Sequence, residues 1–295
     1  MCSLRQLESK ISEAGPPDIR AQPLSVSDGL KYLLESGTVQ IVLRRNEFLG
    51  ITSDFYALGE FSLDRYTDRG QYDLILQEWP KYVFATRTNA LCGDVLEAIV
   101  DASLEGSPFI PIGAPGKSFQ GYSIDRMRVD NAPPVDHVLY LREHRLLLGV
   151  EDKNWREWFY PKSNVLPALL RKCLDHNFLP VVVTRKLPYV TRLLFKKLGI
   201  IGLETHFQFF DQSLKTELQL VQHKDGIGFA DMRFTSEPQA HIQRYFAGTL
   251  PKICVSAFET FTKNRDILLE YVHETISYAE LVSELEVFRE KPDEE

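Results

Sequence analysis

The sequence predicts an α/β protein with a mixed sheet at its centre, and three observations carry that expectation. Two β-type runs, 135–141 and 145–153, lie close enough to pair as an antiparallel hairpin. Helical and strand patterns then alternate through 163–176, 178–184 and 188–198, the order of a sheet covered by helices. Hydrophobic residues make up 44% and charged residues 25%, which suits a globular chain with a buried core.

Taken in order, residues 3–14 read as a short polar helix that Gly15-Pro16-Pro17-Asp18 breaks. Ser25 or Ser27 caps a helix through Leu34 whose Leu30, Leu33 and Leu34 share a face, and Gly37 ends it. Val39 to Leu43 is a β-type run, and 45–85 is aromatic and irregular. Residues 1–85 are therefore expected to be an accessory region of uncertain fold, a small helical or winged-helix-like module. From Gly93 to Asp101 the spacing is helical, with Leu96, Ile99 and Val100 on one side and Gly106 as a stop. A loop rich in Gly and Pro follows over 107–121. The hairpin comes next, then a helix with Val165, Leu166, Leu169, Leu170 and Cys173 on one face. A buried-strand pattern (178–184), a helix ending at Gly199 and a strand candidate at 206–210 complete a core over 86–212. Residues 213–295 read as a mostly helical region ending in an acidic tail. At 295 residues, about two domains are expected.

Composition excludes several classes of protein. No apolar run approaches the length of about 18 residues that a membrane span needs, and the N-terminus lacks the apolar centre of a secretory signal. Cys2, Cys92, Cys173 and Cys254 stand singly, so structural zinc is not expected and reduced thiols in the cytoplasm are. The net charge of −7 argues against nucleic acid, but its distribution reverses that. From Lys153 to Lys197 there are ten basic residues and two acidic ones, Glu157 and Asp175. Such a segment on an acidic chain reads either as a solvated face or as a nucleic-acid surface.

The hairpin carries the chemistry. A turn at Glu143-His144 makes the numbers of opposed residues sum to 287, so Asp136 faces Glu151 with Cβ atoms about 5 Å apart. Alternation puts Glu151 and Lys153 on one face and Asp152 on the other. Facing carboxylates destabilise a sheet unless a cation compensates, and oxygen ligands suit Mg²⁺. Metal, carboxylates and a lysine together suit phosphodiester hydrolysis.

Asp136 followed by Glu151-Asp152-Lys153 at the end of the next strand resembles the PD-(D/E)xK nuclease superfamily, over about residues 90–210. The resemblance implies a restriction-endonuclease-like core that cleaves nucleic acid with Mg²⁺, Mn²⁺ being able to substitute. It implies Asp136 and Glu151 as metal ligands, Lys153 as the catalytic lysine and Glu97 as an assisting glutamate on the preceding helix. DNA over RNA, internal over terminal cutting, and a restriction, repair or defence role come from it alone. Two departures stand: Val135 replaces the proline of the family name, and no glutamine–tyrosine helix motif follows the lysine. Glu97 also shares its helix side with Asp94 and Asp101, where acids serve as dipole partners.

Lys162, Arg171, Arg185, Lys186, Arg192, Lys196 and Lys197 are the candidate nucleic-acid contacts, and Thr184 ends a strand beside them. Trp155, Trp158, Phe159 and Tyr160 suit either base stacking or packing. Gly113-Ala114-Pro115-Gly116-Lys117-Ser118 ends like a phosphate loop but has Pro111 where the motif needs glycine, and Glu8-Ser9-Lys10 lacks a preceding strand. The expected partners are nucleic acid, a second copy of the chain for two-strand cleavage, and an activating partner or ligand. Two alternatives stay open: a catalytically silent nucleic-acid-binding or assembly subunit, and an interaction protein whose basic segment meets an acidic partner.

Overall fold

The structure, a computed structural model, describes residues 2–13, 21–46, 52–59, 69–113, 122–124, 127–129, 135–161 and 164–286. The chain divides into two compact units, one of Met1–Val95 with Phe207–Ser236 and one of Leu96–His206 with Glu237–Glu295. This departs from the three consecutive segments expected. Residues 207–236 return to the N-terminal unit, and the C-terminal helices join the unit of the main sheet.

The first unit contains β1 (Cys2–Ser3), α1 (Leu4–Glu8), α2 (Pro23–Glu35), β2 (Val39–Asn46), β3 (Thr52–Leu58) and α3 (Arg69–Arg87). Helix α4 (Gly93–Ser103) starts there and continues into the second unit. In that unit follow β4 (Phe109–Ile112), β5 (Tyr122–Ile124), β6 (Met127–Val129), β7 (His137–Leu141), β8 (Leu146–Lys153), α5 (Val165–His176), β9 (Leu179–Thr184), α6 (Tyr189–Leu198) and β10 (Ile201–Glu204). The first unit is completed by β11 (Gln208–Phe210), α7 (Gln219–Gln222) and β12 (Met232–Phe234). The second ends with α8 (Ala240–Arg244), α9 (Leu250–Lys263), α10 (Arg265–Val272) and α11 (Tyr278–Glu284). No helix among the described residues is long and apolar enough to cross a membrane.

The main sheet is mixed, in the order β10-β9-β8-β7-β4. β4, β7 and β8 pair antiparallel, and β8, β9 and β10 pair parallel. The hairpin register runs from His137 opposite Val150 to Leu141 opposite Leu146, the sum of 287 read from the sequence. A 3-10 turn at Arg142–His144 closes it, with Arg145 left-handed (φ 50°). Every residue of β7 and β9 is buried, as is all of β8 but Lys153, so both faces of the sheet are covered. Tyr140, Leu147 and Val182 pack in one core with Leu169, Leu170 and Cys173 of α5, Phe195 of α6 and residues of α9, α10 and α11. Because β8, β9 and β10 are parallel, Lys153, Thr184 and Glu204 end at the same sheet edge. Carboxyl ends of parallel strands are where α/β sheets place their ligand sites.

The first unit differs most from expectation. The stretch 45–85 holds β3 and the long α3. Pro80 lies inside α3 and costs about 3 kcal/mol in a helix interior. Burial of Ile75, Trp79, Tyr82 and Val83, at helical spacing, outweighs it, and Trp79 and Tyr82 pack against Phe229. Residues 208–210 do form a strand, but it pairs parallel with β12 instead of extending the main sheet. At the start of the chain, α1 is followed by a π-helical turn at Ser9–Glu13, and Gln6 reaches the carbonyl of Ile227 at 3.3 Å. Most of the phosphate-loop look-alike, Lys162 and the acidic tail lie outside the described residues.

Candidate functional site

At the carboxyl edge of the main sheet, Asp136 precedes β7 while Glu151 and Lys153 end β8. Lys153 Nζ lies 2.8 Å from Glu151 Oε1 and 3.8 Å from Asp136 Oδ2. The three side chains retain 16% (Lys153), 11% (Glu151) and 18% (Asp136) of their exposure, so the cluster is sheltered but reachable. Beyond the last backbone pair of the hairpin, Asp136 Oδ2 accepts the amide N–H of Asp152 at 2.5 Å. A carboxylate there does the work of a strand partner and is fixed in place by it. Glu151 and Lys153 share the sheet face covered by α5, where Cys173 crowds the position of a Cβ on Gly149.

From α5, Lys172 Nζ reaches Glu151 Oε2 at 3.3 Å, so each oxygen of Glu151 faces one lysine. Sequence reasoning counted Lys172 only as one of ten basic residues. Its signal was its place three residues after Leu169 and one before Cys173, at the margin of the apolar face of α5.

Burial pushes the Asp136 carboxyl up to about 6, against the lowering pull of Lys153. Burial lowers the Lys153 ammonium, but the carboxylates of Glu151 and Asp136 outweigh it, and its pKa ends above the ordinary lysine value. Lys153 is therefore a fixed cation at neutral pH, suited to stabilising negative charge and not to taking a proton from water.

The opposite face holds a second pair. His137 Nε2 and Asp152 Oδ2 are hydrogen-bonded at 2.8 Å, with side chains 3% and 1% exposed. Burial alone lowers the His137 pKa, but the Asp152 carboxylate overcomes it and leaves the ring raised. Asp101 of α4 adds to that field. Among the described residues, the buried Asp152 Oδ1 has no hydrogen-bond partner.

The loop after β8 is tied down from β9 and α6. Thr184 Oγ1 donates to the carbonyl of Lys153 at 3.1 Å, and Thr191 Oγ1 donates to that of Phe159 at 2.8 Å. Phe159 is buried and stacks on Trp155, which is 38% exposed and lies 5.9 Å from Lys153 Nζ. Of the four aromatic residues here, Phe159 is packing and Trp155 is a flat surface beside the cluster.

The structure thus brings Asp136, Glu151 and Lys153 together. Glu97 sits half-buried on α4, and the charges that chiefly act on Asp136 and Lys153 come from Glu151, Asp152 and each other. The candidate nucleic-acid contacts divide. Arg185 requires correction: it is 1% exposed, and its guanidinium donates to the carbonyl of Arg156, so it braces the loop instead of facing solvent. Arg171 donates to the carbonyl of Val272 at 2.6 Å, and Arg192 pairs with Glu204 at 3.6 Å. Lys186 lies 3.4 Å from His206 Nδ1. Lys196 and Lys197 are exposed in the last turn of α6, which runs back from the carboxyl edge of the sheet.

Among the described residues, no three His, Cys, Asp or Glu side chains gather as a metal cage. With the Asp152 carbonyl, which accepts from Lys153 Nζ at 3.1 Å, the Asp136 and Glu151 carboxylates are a hard-oxygen set, which fits Mg²⁺ retaining several waters better than zinc. An Asp136 carboxyl held at about 6 beside Lys153 is still under-compensated, and a divalent cation would supply the missing charge.

No protein-family model, no curated protein and no solved structure matches the chain.

Proposed function

We propose that this protein is a metal-dependent phosphodiesterase acting on nucleic acid, DNA in preference to RNA, with a restriction-endonuclease-like core in its second unit. One observation carries the reading: Lys153 reaches both Glu151 and Asp136 at the carboxyl edge of a mixed sheet. Asp136, Glu151 and the Asp152 carbonyl would hold Mg²⁺, which when bound polarises the phosphate and acidifies a water. Lys153, charged at neutral pH, would stabilise the negative charge that builds on the phosphate. Lys172 would hold Glu151 in place, and Trp155 offers a stacking surface for a base.

A second reading is favoured by a separate observation. Two lysines already pair with Glu151, so that carboxylate has charge partners without a metal ion, as in a catalytically silent nucleic-acid-binding or assembly subunit. Incubation with plasmid, linear and single-stranded DNA and with RNA, in Mg²⁺, Mn²⁺ or EDTA, separates the two. The first reading expects metal-dependent cleavage of at least one substrate. Binding of nucleic acid with no cleavage in any metal would establish the second.

A further inference from the structure

We infer that the buried His137–Asp152 pair is the positioning device of the site, a clamp on the sheet face away from the chemistry that sets where Asp136 and Lys153 stand. The inference rests on the reading of Asp136 and Glu151 as metal ligands.

Asp152 touches both functional neighbours through its main chain. Its N–H binds Asp136 Oδ2 at 2.5 Å, and its carbonyl accepts from Lys153 Nζ at 3.1 Å. A small rotation of the backbone at Asp152 therefore moves Asp136 and Lys153 at once. The side chain of Asp152 opposes that rotation, because it is anchored to His137 at 2.8 Å with both groups almost fully buried. His137 is also the residue after Asp136 and the last one of β7 in register with β8, opposite Val150. Beyond that pair the ladder between β7 and β8 stops, while Asp152 and Lys153 keep their register with Val183 and Thr184 of β9 on the other side. Asp136-His137 and Asp152-Lys153 are thus linked twice, once on each face of the sheet, where the ladder between β7 and β8 no longer joins them.

The pair has the cost expected of such a device. Asp152 Oδ1 is buried with no hydrogen-bond partner among the described residues, and an apolar pair would fill the same space without that penalty. Partners one step removed from a metal ligand commonly change metal affinity by about 10- to 100-fold when they are lost.

His137→Leu alone leaves a buried carboxylate unpaired and risks failure to fold, so the decisive variant is the double change His137→Leu with Asp152→Leu. Thermal unfolding establishes that it folds, and Mn²⁺ binding, read from the free-ion signal in electron paramagnetic resonance, establishes the effect. Asp152→Asn, which keeps shape and a hydrogen bond, should recover part of the loss. The double variant is expected to unfold at or above the wild-type temperature, bind Mn²⁺ about tenfold more weakly, and lose kcat with KM little changed. A folded double variant that binds Mn²⁺ within twofold of wild type overturns the clamp. Wild type that binds Mn²⁺ with the expected loss in the variant, yet cleaves nothing, upholds the clamp and overturns the phosphodiesterase reading. Wild type that binds no Mn²⁺ at millimolar concentration overturns both.

Discussion

Replacing Asp136 by Asn should make the metal-free protein more stable, although Asp136 is one of the two carboxylates proposed to hold the metal. Burial holds its carboxyl at about 6 in place of the ordinary 3.8, even with Lys153 nearby. The folded state therefore holds a proton between those two values that the unfolded chain has released, and stability falls as pH rises through that window. Above about pH 6 the charged, buried carboxylate has cost its full amount. At about 1.4 kcal/mol per pH unit, that is up to about 3 kcal/mol. Asn keeps an oxygen for the Asp152 amide and carries no charge to desolvate. In EDTA at pH 7.5, Asp136→Asn should melt higher than wild type by up to about 12 °C, at about 2–4 °C per kcal/mol for a domain of this size. The gain should vanish near pH 4. Differential scanning calorimetry at both pH values, with and without Mg²⁺, is the assay. Mg²⁺ should raise the melting temperature of wild type and leave the variant unmoved. A variant equal to or less stable than wild type at pH 7.5 in EDTA would refute the claim that Asp136 is an under-compensated charge.

Further outcomes follow from the same geometry. Lys153→Ala should lose cleavage by at least about 100-fold while Mn²⁺ binding persists, because the lysine stabilises charge without ligating. Lys172→Met should lose about tenfold in rate by freeing one oxygen of Glu151, measured under single turnover. Gly199→Ala should destabilise the second unit by about 3 kcal/mol or more in urea. Its φ is +73°, and a Cβ there would meet the backbone oxygen of Ala257 at 2.2 Å. Burial pushes the Cys92 thiol up to about 12 and the Cys173 thiol higher than usual. Both should resist a thiol reagent at pH 8 in the native protein and react in urea, while the partly exposed Cys2 reacts first.

The geometry of the candidate site was legible where it follows the period of a strand. Once 135–141 and 145–153 were read as a hairpin, the register placed Asp136 against Glu151 and turned Asp152 to the other face, and the sheet has that register. What lay beyond the hairpin was less legible. Spacing along α5 puts Lys172 at the margin of the apolar face, but its partner Glu151 follows only from how α5 lies on the sheet. Asp152 was read as facing away, but its partner His137 becomes visible only once the strands are docked. Arg185 misled because charge was taken as a sign of exposure, whereas its guanidinium binds a carbonyl inside the loop. In the first unit, Pro80 masked the helical spacing of Ile75, Trp79, Tyr82 and Val83, since contacts with Phe55 and Phe229 supply the stability that the helix itself lacks.

Metal-dependent cleavage of nucleic acid by matched preparations of wild type, Lys153→Ala and Asp136→Asn tests the central claim most directly, with circular dichroism establishing that all three are folded. The account predicts cleavage by wild type in Mg²⁺, its abolition by EDTA, and loss of at least about 100-fold in both variants. Equal cleavage by all three proteins would contradict the assignment of Asp136, Glu151 and Lys153 as the site of the chemistry.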